Sequence, residues 1–183
     1  MTEFDHVLSA ARSGDEEALA GLYRRLYPRF VRYVGAVEPS SAEDVAADAW
    51  LDVARSLGRF RGDESDFRAW AFTIVRRRML DVRRTGARRR TDPADPLDLI
   101  DAGSVGNVED EAMVSLEASW AIDLITSSLT RDQADVVLLR VLGDLSADQV
   151  ADLLGKRPGT IRVIQHRALR RLADALRHEA VTP

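Results

Sequence analysis

The stretch Ser146-Ala-Asp-Gln-Val-Ala-Asp-Leu-Leu-Gly155-Lys-Arg-Pro-Gly-Thr160-Ile-Arg-Val-Ile-Gln-His-Arg-Ala-Leu-Arg-Arg-Leu172 decides the fold. Ser146 and Gln149 have the spacing of a capping box, in which each side chain satisfies the other residue's backbone N–H. They open a short helix with Val150, Leu153 and Leu154 on one side. Gly155-Lys156-Arg157 reads as a tight turn, and Pro158 suits the first position of a final helix running to about Arg177. There Ile161, Ile164, Ala168 and Leu172 recur at helical spacing and form an inward stripe. Short helix, glycine turn and longer basic helix make the helix-turn-helix plan, whose second helix enters the DNA major groove. The stripe leaves Arg157, Thr160, Arg162, Val163, His166, Arg167 and Arg170 on other faces. Those near the helix start are placed for base edges, Arg being the usual partner of guanine, and the distal arginines suit phosphates. An ordinary helical hairpin with a solvated basic face has the same pattern, so the charge distribution must separate the two.

The 183 residues carry a net charge of −4, which alone argues weakly against a nucleic-acid partner. The charges are segregated, however. Arg55 to Arg90 holds 12 arginines against four acids, Thr91 to Ser119 eight acids and no cation, and Lys156 to Arg177 seven cations against Asp174. Two basic blocks with an acidic stretch between them suggest two polyanion-binding surfaces and a linker. Lys156 is the single lysine among the 26 cations.

Upstream, the pattern is helical throughout. Phe4 to Arg12 reads as a first helix. Asp15-Glu16-Glu17 opens a second with Leu22, Leu26, Phe30 and Val34 at core spacing and Pro28 as a point for a kink or break. Ser40 and Glu43 have capping-box spacing before a third helix, with Val45, Ala49, Trp50 and Val53 in its stripe and Gly58 as its stop. Gly58 to Asp66 is a polar loop. A strong helix then runs from about Phe67 to Arg84, with Trp70 and Ile74 at core positions. Pro, Gly and acids from Thr91 to about Asp110 read as a flexible linker. Glu111 to Ser127 is again helical. Thr130 and Gln133 open the next helix, with Ala134, Val137, Leu138 and Val141 inside, and Gly143 breaks it. The expected fold is all-α, with helical modules at 1–90 and 115–183 joined by an acidic linker at 91–114.

Thr130 to Leu172 resembles the fourth conserved region of sigma-70-type bacterial sigma factors, and the short chain points to their extracytoplasmic-function (ECF) subfamily. Ser41-Ala-Glu-Asp-Val-Ala-Ala-Asp-Ala-Trp-Leu-Asp-Val-Ala resembles region 2.2, and Phe60 to Arg84 resembles regions 2.3 and 2.4. The resemblance covers most of residues 15–90 and 115–178, in family order. It implies a promoter-specificity subunit of RNA polymerase that also promotes DNA opening. The C-terminal module would read the −35 element through Arg157, Thr160, Arg162, Val163, His166 and Arg167. The N-terminal module would melt and read the −10 element through Phe60, Arg61, Asp63, Phe67, Arg76, Arg77, Arg78 and Arg84. In that reading Gly58 to Asp66 captures a flipped base, Phe60 and Phe67 offer stacking faces, and Arg61 and Arg76 to Arg78 hold strand phosphates. Glu43, Asp44, Asp48, Trp50, Leu51 and Asp52 would meet the polymerase. The implied partners are core polymerase (the β′ clamp and the β flap), promoter DNA and a cognate anti-sigma factor. Two positions depart from the family pattern: Arg77 stands where many relatives carry Asn, and Val163 replaces a frequent polar residue, where it suits a thymine methyl.

A stand-alone helix-turn-helix regulator is the alternative, disfavoured by the second arginine-rich block. No nucleophile–base pair, phosphate loop or metal set supports an enzyme, and no cofactor or metal is expected. With no cysteine, disulfides and thiol-ligated zinc are excluded. Neither a membrane-length apolar run nor a secretory signal is visible, so a cytoplasmic protein without membrane insertion is expected.

Overall fold

The computed structural model describes residues 2–91 and 110–179, with side chains over 2–85 and 119–178. The described residues form eight α-helices and no strand: α1 Glu3–Arg12, α2 Glu16–Val37, α3 Ala42–Ser56, α4 Glu64–Thr91, α5 Asp110–Ser128, α6 Arg131–Val141, α7 Ala147–Leu154 and α8 Pro158–Glu179. Most of the expected linker, residues 92–109, lies outside the described residues, and α5 begins at Asp110, inside the range assigned to it.

Local chemistry accounts for most helix starts. Thr2 and Asp5 cap α1 reciprocally, and Asp15 accepts the Ala18 N–H at 2.7 Å to open α2. Two details differ from the sequence reading. First, α2 runs through Pro28 without a break. Pro28 lies on the solvent side, where water can satisfy the carbonyl it leaves unbonded, while Leu26 and Phe30 anchor both flanks in the core. Second, the Ser40–Glu43 capping box does not form. Pro39–Ser41 makes a 3₁₀ turn that leads directly into α3, and no side chain caps it.

The N-terminal module packs α2, α3 and α4 against one another, with α1 packed on α2. Its core is the meeting of Leu22, Leu26, Phe30 and Val34 with Val45, Ala49 and Val53 and with Phe67, Phe72, Val75 and Met79. Phe30 meets Phe72 edge to face at 5.4 Å. The C-terminal module buries Val136 to Leu139, Leu145, Val150, Ala151, Ile161 and Ala168. Val141, expected inside, is instead 66% exposed. The chain turns at Gly143, and Leu145 takes the buried place. The modules touch: α5 packs on α2, and α7 on α4.

Candidate nucleic-acid interface

The helix-turn-helix is built as its sequence dictates. Ser146 N–H donates to Gln149 Oε1 at 2.8 Å, and Gln149 N–H to Ser146 Oγ at 3.1 Å. Gly155 ends α7 in the left-handed region at φ 63°, a conformation L side chains resist. There the Lys156 N–H closes the turn onto the Ala151 carbonyl at 2.9 Å. α8 then starts at Pro158. Ile161 and Ala168 are fully buried, while Arg157, Thr160, Arg162, Val163, His166 and Arg167 are all exposed. Arg162 lies 3.4 Å from Asp148 and Lys156 3.0 Å from Asp132, both surface pairs of the kind that contribute little to stability.

The α3–α4 connection is a short, self-bonded loop. Asp63 and Asp66 cap α4 reciprocally, at 3.2 and 2.9 Å. Gly62 sits at φ 142°, where an added Cβ would come within 2.7 Å of the Asp66 side chain. Arg61, Gly62 and Asp63 are exposed. Arg61 folds back, donating to the Gly58 and Phe60 carbonyls at 2.8 and 2.7 Å. Phe60 and Phe67 are buried rather than offered as stacking faces. Their rings lie 5.2 Å apart, Phe60 5.2 Å from Trp70 and Phe67 5.5 Å from Phe4. An aromatic cluster of this kind gains more from its own burial than from facing water.

Arg76, Arg77 and Arg78 do not act as one cluster. Consecutive helical residues point about 100° apart, so the three diverge. Arg76 reaches the other module and pairs with Asp135 of α6 at 2.5 Å. Tyr33, fully buried on α2, donates to Asp135 Oδ1 at 2.8 Å and accepts from Arg76 at 3.1 Å. Burial, and then the Asp135 charge, push the Tyr33 hydroxyl far above the ordinary tyrosine range. Arg78 binds Asp52 of α3 at 2.5 Å, joining a residue assigned to DNA with one assigned to polymerase. Arg77 faces solvent, and Arg84 pairs with Asp81 at 3.5 Å.

On α3, Glu43, Asp44 and Asp48 are exposed, and Leu51 is an apolar side chain 47% exposed. Trp50 is half-buried, edge-on to Tyr23 at 5.2 Å, and Tyr23 stacks on Tyr27 at 4.5 Å. This helix therefore presents acids around a central leucine, with an aromatic group alongside.

Residues 22–91 match the model of sigma-70 region 2, and residues 119–172 match that of sigma-70 region 4. The ECF RNA polymerase sigma factor SigD of Mycobacterium tuberculosis is 32% identical over 178 residues, covering 94% of this chain and 83% of the relative. ShbA of Streptomyces griseus, also an ECF RNA polymerase sigma factor, is 32% identical over 172 residues, covering 88% and 89%. The chain belongs to the ECF sigma-factor family. As a sigma factor it directs core RNA polymerase to promoters and promotes DNA opening. Two solved structures share its fold. CnrH, in complex with the cytosolic domain of CnrY, aligns with TM-score 0.61 at 19% identity, covering 98% of this chain and 99% of that one. The sigma factor RpoE in complex with the anti-sigma factor NepR, from Bartonella quintana, aligns with TM-score 0.60 at 20% identity, covering 86% and 96%.

Sequence reasoning missed the groups that join the two modules of this sigma factor. Besides Tyr33, Arg76 and Asp135, Gln149 donates to Ser65 Oγ at 3.0 Å, and Arg68 pairs with Asp144 at 3.2 Å. These partners are separated by many residues, and no local pattern marks them. Among the described residues no cluster of ligating side chains could hold a metal, and no helix is long and apolar enough to cross a membrane.

Proposed function

We propose that this sigma factor reads the −35 element with the exposed face of α8 and the −10 element with the loop 58–66 and the start of α4. The observation that carries the first part is the set Thr160, Arg162, Val163, His166 and Arg167, exposed on the N-terminal half of a helix whose opposite side is core, with Arg157 exposed just before its start. A helix so anchored presents its side chains to a groove without losing its own packing. The loop between Phe60 and Glu64 has the exposed polar residues and fixed backbone that capture of a flipped base requires. Phe60 and Phe67 set the floor of that loop, Asp63 and Arg77 face outward, and Arg61 does so once released from the Gly58 and Phe60 carbonyls. Arg76 and Arg78 reach phosphate once parted from Asp135 and Asp52, and Arg84 once parted from Asp81.

Glu43, Asp44, Asp48, Trp50, Leu51 and Asp52 are proposed to meet the β′ clamp, and the C-terminal module the β flap. A cognate anti-sigma factor is proposed as a further partner, in keeping with the NepR complex of the RpoE relative. The protein acts in the cytoplasm and catalyses no covalent reaction; its work is binding and strand separation.

The test is run-off transcription with purified core polymerase on a genomic promoter library. Transcripts that start at defined sites only when this chain is present are the expected result. Absence of directed initiation, together with tight operator binding by the chain alone, would instead establish a stand-alone regulator.

A further inference from the structure

Helix α1 precedes the segment matched by the region 2 model, which starts at residue 22, and the sequence reading assigned none of its residues to a site. Two of its side chains nevertheless reach the proposed −10 pocket, Arg12 at the loop backbone and Phe4 at the aromatic residue beneath it. Arg12, in the last turn of α1, donates from Nε to the Leu57 carbonyl at 3.3 Å and from Nη2 to the Phe60 carbonyl. Leu57–Arg59 is a 3₁₀ turn, so these two carbonyls bracket the step from α3 into the loop. Phe4, about two turns earlier on α1, rests against Phe67, which in turn supports Phe60.

The position of Arg12 is itself fixed. Thr2 and Asp5 cap one end of α1. At the other end the Asp15 N–H donates to the Ala10 carbonyl at 3.1 Å, and Asp15 caps α2. The guanidinium thus connects a rigid helix corner to the backbone of the loop. Its planar fork spans two acceptors at once, which the single ammonium point of a lysine does not reproduce. Arg61 donates to the same Phe60 carbonyl from the solvent side, and a carbonyl has two lone pairs, so Arg12 and Arg61 together fill that acceptor.

We propose that Arg12 is a positioning residue for base recognition: it holds the Leu57 and Phe60 carbonyls so that Arg61, Gly62 and Asp63 meet the base in one arrangement. This inference rests on the reading of loop 58–66 as the −10 pocket. Without the fork, the loop must be ordered at each encounter, and that ordering subtracts from the affinity gained when the right base enters. A wrong base or a missing one gains little from the ordered loop, so Arg12 acts on discrimination more than on total affinity.

The experiment uses the full chain assembled with core polymerase. The probes are fluorescent non-template-strand oligonucleotides carrying the −10 sequence recovered by run-off transcription, and copies in which each base in turn is abasic. The wild-type complex is expected to show one position whose loss weakens binding most. Arg12→Ala and Arg12→Lys should both reduce that preference by about tenfold, the scale of one charge-assisted hydrogen bond. Core binding and −35 duplex binding should stay at wild-type values. The inference fails if Arg12→Ala keeps the wild-type preference, or if Arg12→Lys restores it. It fails equally if affinity drops uniformly for every probe alongside a lower melting temperature, which would make Arg12 a brace of the fold. A wild-type complex with no position-dependent loss removes the −10 reading of the loop itself, and this inference with it.

Discussion

Replacing Asp135 with alanine removes the acceptor that joins three groups from three helices. The Asp135 side chain is 13% exposed, that of Arg76 is 20% exposed, and Tyr33 is fully buried. Truncation leaves a nearly enclosed guanidinium whose remaining partner is the Tyr33 hydroxyl, and a hydroxyl that must find another acceptor. Breaking a fully buried ion pair this way costs about 3–5 kcal/mol. The residual exposure of both partners lets water in and lowers the expected cost to about 2–3 kcal/mol. Because Arg76 and Asp135 sit on different modules, the loss falls on the contact between them rather than on either core. It corresponds to a shift of roughly 30- to 150-fold from the docked toward the parted arrangement. The chain has no cysteine, so reporter thiols can be placed at will, for example by His6→Cys and Arg170→Cys, both at exposed positions. Energy transfer between dyes at these sites should fall in Asp135→Ala and fall less in Asp135→Asn, which keeps an acceptor for Tyr33. The double variant Asp135→Ala with Arg76→Ala should be milder than the sum of its parts, since neither charge is then left alone. Unchanged energy transfer in Asp135→Ala, or a coupling under about 0.5 kcal/mol, would refute the reasoning.

Further expectations concern single side chains. Burial and Asp135 hold the Tyr33 proton in the folded chain, whereas the unfolded chain releases it near pH 10. The folded state thus binds more protons above that point, so stability is full below about pH 10 and declines above it by up to about 1.4 kcal/mol per pH unit. Tyr33→Phe should flatten this decline in urea titrations at rising pH, and an equally steep limb would contradict it. Leu51→Glu should leave the melting temperature unchanged yet weaken binding to core polymerase by about 1.5–3 kcal/mol in a pull-down titration, the worth of burying one leucine; equal binding would take α3 out of the polymerase contact. Arg162→Ala should weaken use of −35 sequences by about 1–3 kcal/mol in competitive run-off transcription, and an unchanged promoter profile would remove Arg162 from the site. Gly62→Ala should lower −10 recognition together with stability by about 1–3 kcal/mol, since both the φ of 142° and the Asp66 side chain oppose a Cβ; wild-type behaviour would show that the loop has another shape.

The helix-turn-helix was legible almost to the residue because its information is local. Ser146 and Gln149, Gly155 and Pro158 each specify a backbone geometry within a few residues, and Ile161 and Ala168 repeat at helical period. Ser40 and Glu43 have the same spacing but form no cap, because Pro39–Ser41 makes a 3₁₀ turn that moves the N-cap position to Ser41 and the helix start to Ala42. Phe60 and Phe67 show a second limit. An aromatic residue beside a polar loop reads as a ligand platform, yet which of its faces is covered depends on Phe4, more than fifty residues away. Arg76 shows a third: adjacency in sequence suggested a shared task with Arg77 and Arg78, whereas helix geometry and Asp135 assign it another direction.

The ion pairs have a consequence in counterion thermodynamics. An arginine cannot lose its proton in the accessible pH range, so the strength of these basic faces is governed by salt rather than acidity. Each phosphate neutralised releases condensed ions and adds about 0.9 to the slope of log affinity against log salt on duplex DNA. Arg76 and Arg78 are held by Asp135 and Asp52 and neutralise no phosphate while they remain so. The difference in salt slope between the free chain and the polymerase-bound chain, measured on the same DNA, therefore counts the arginines that change partners on assembly, corrected for phosphates bound by polymerase itself.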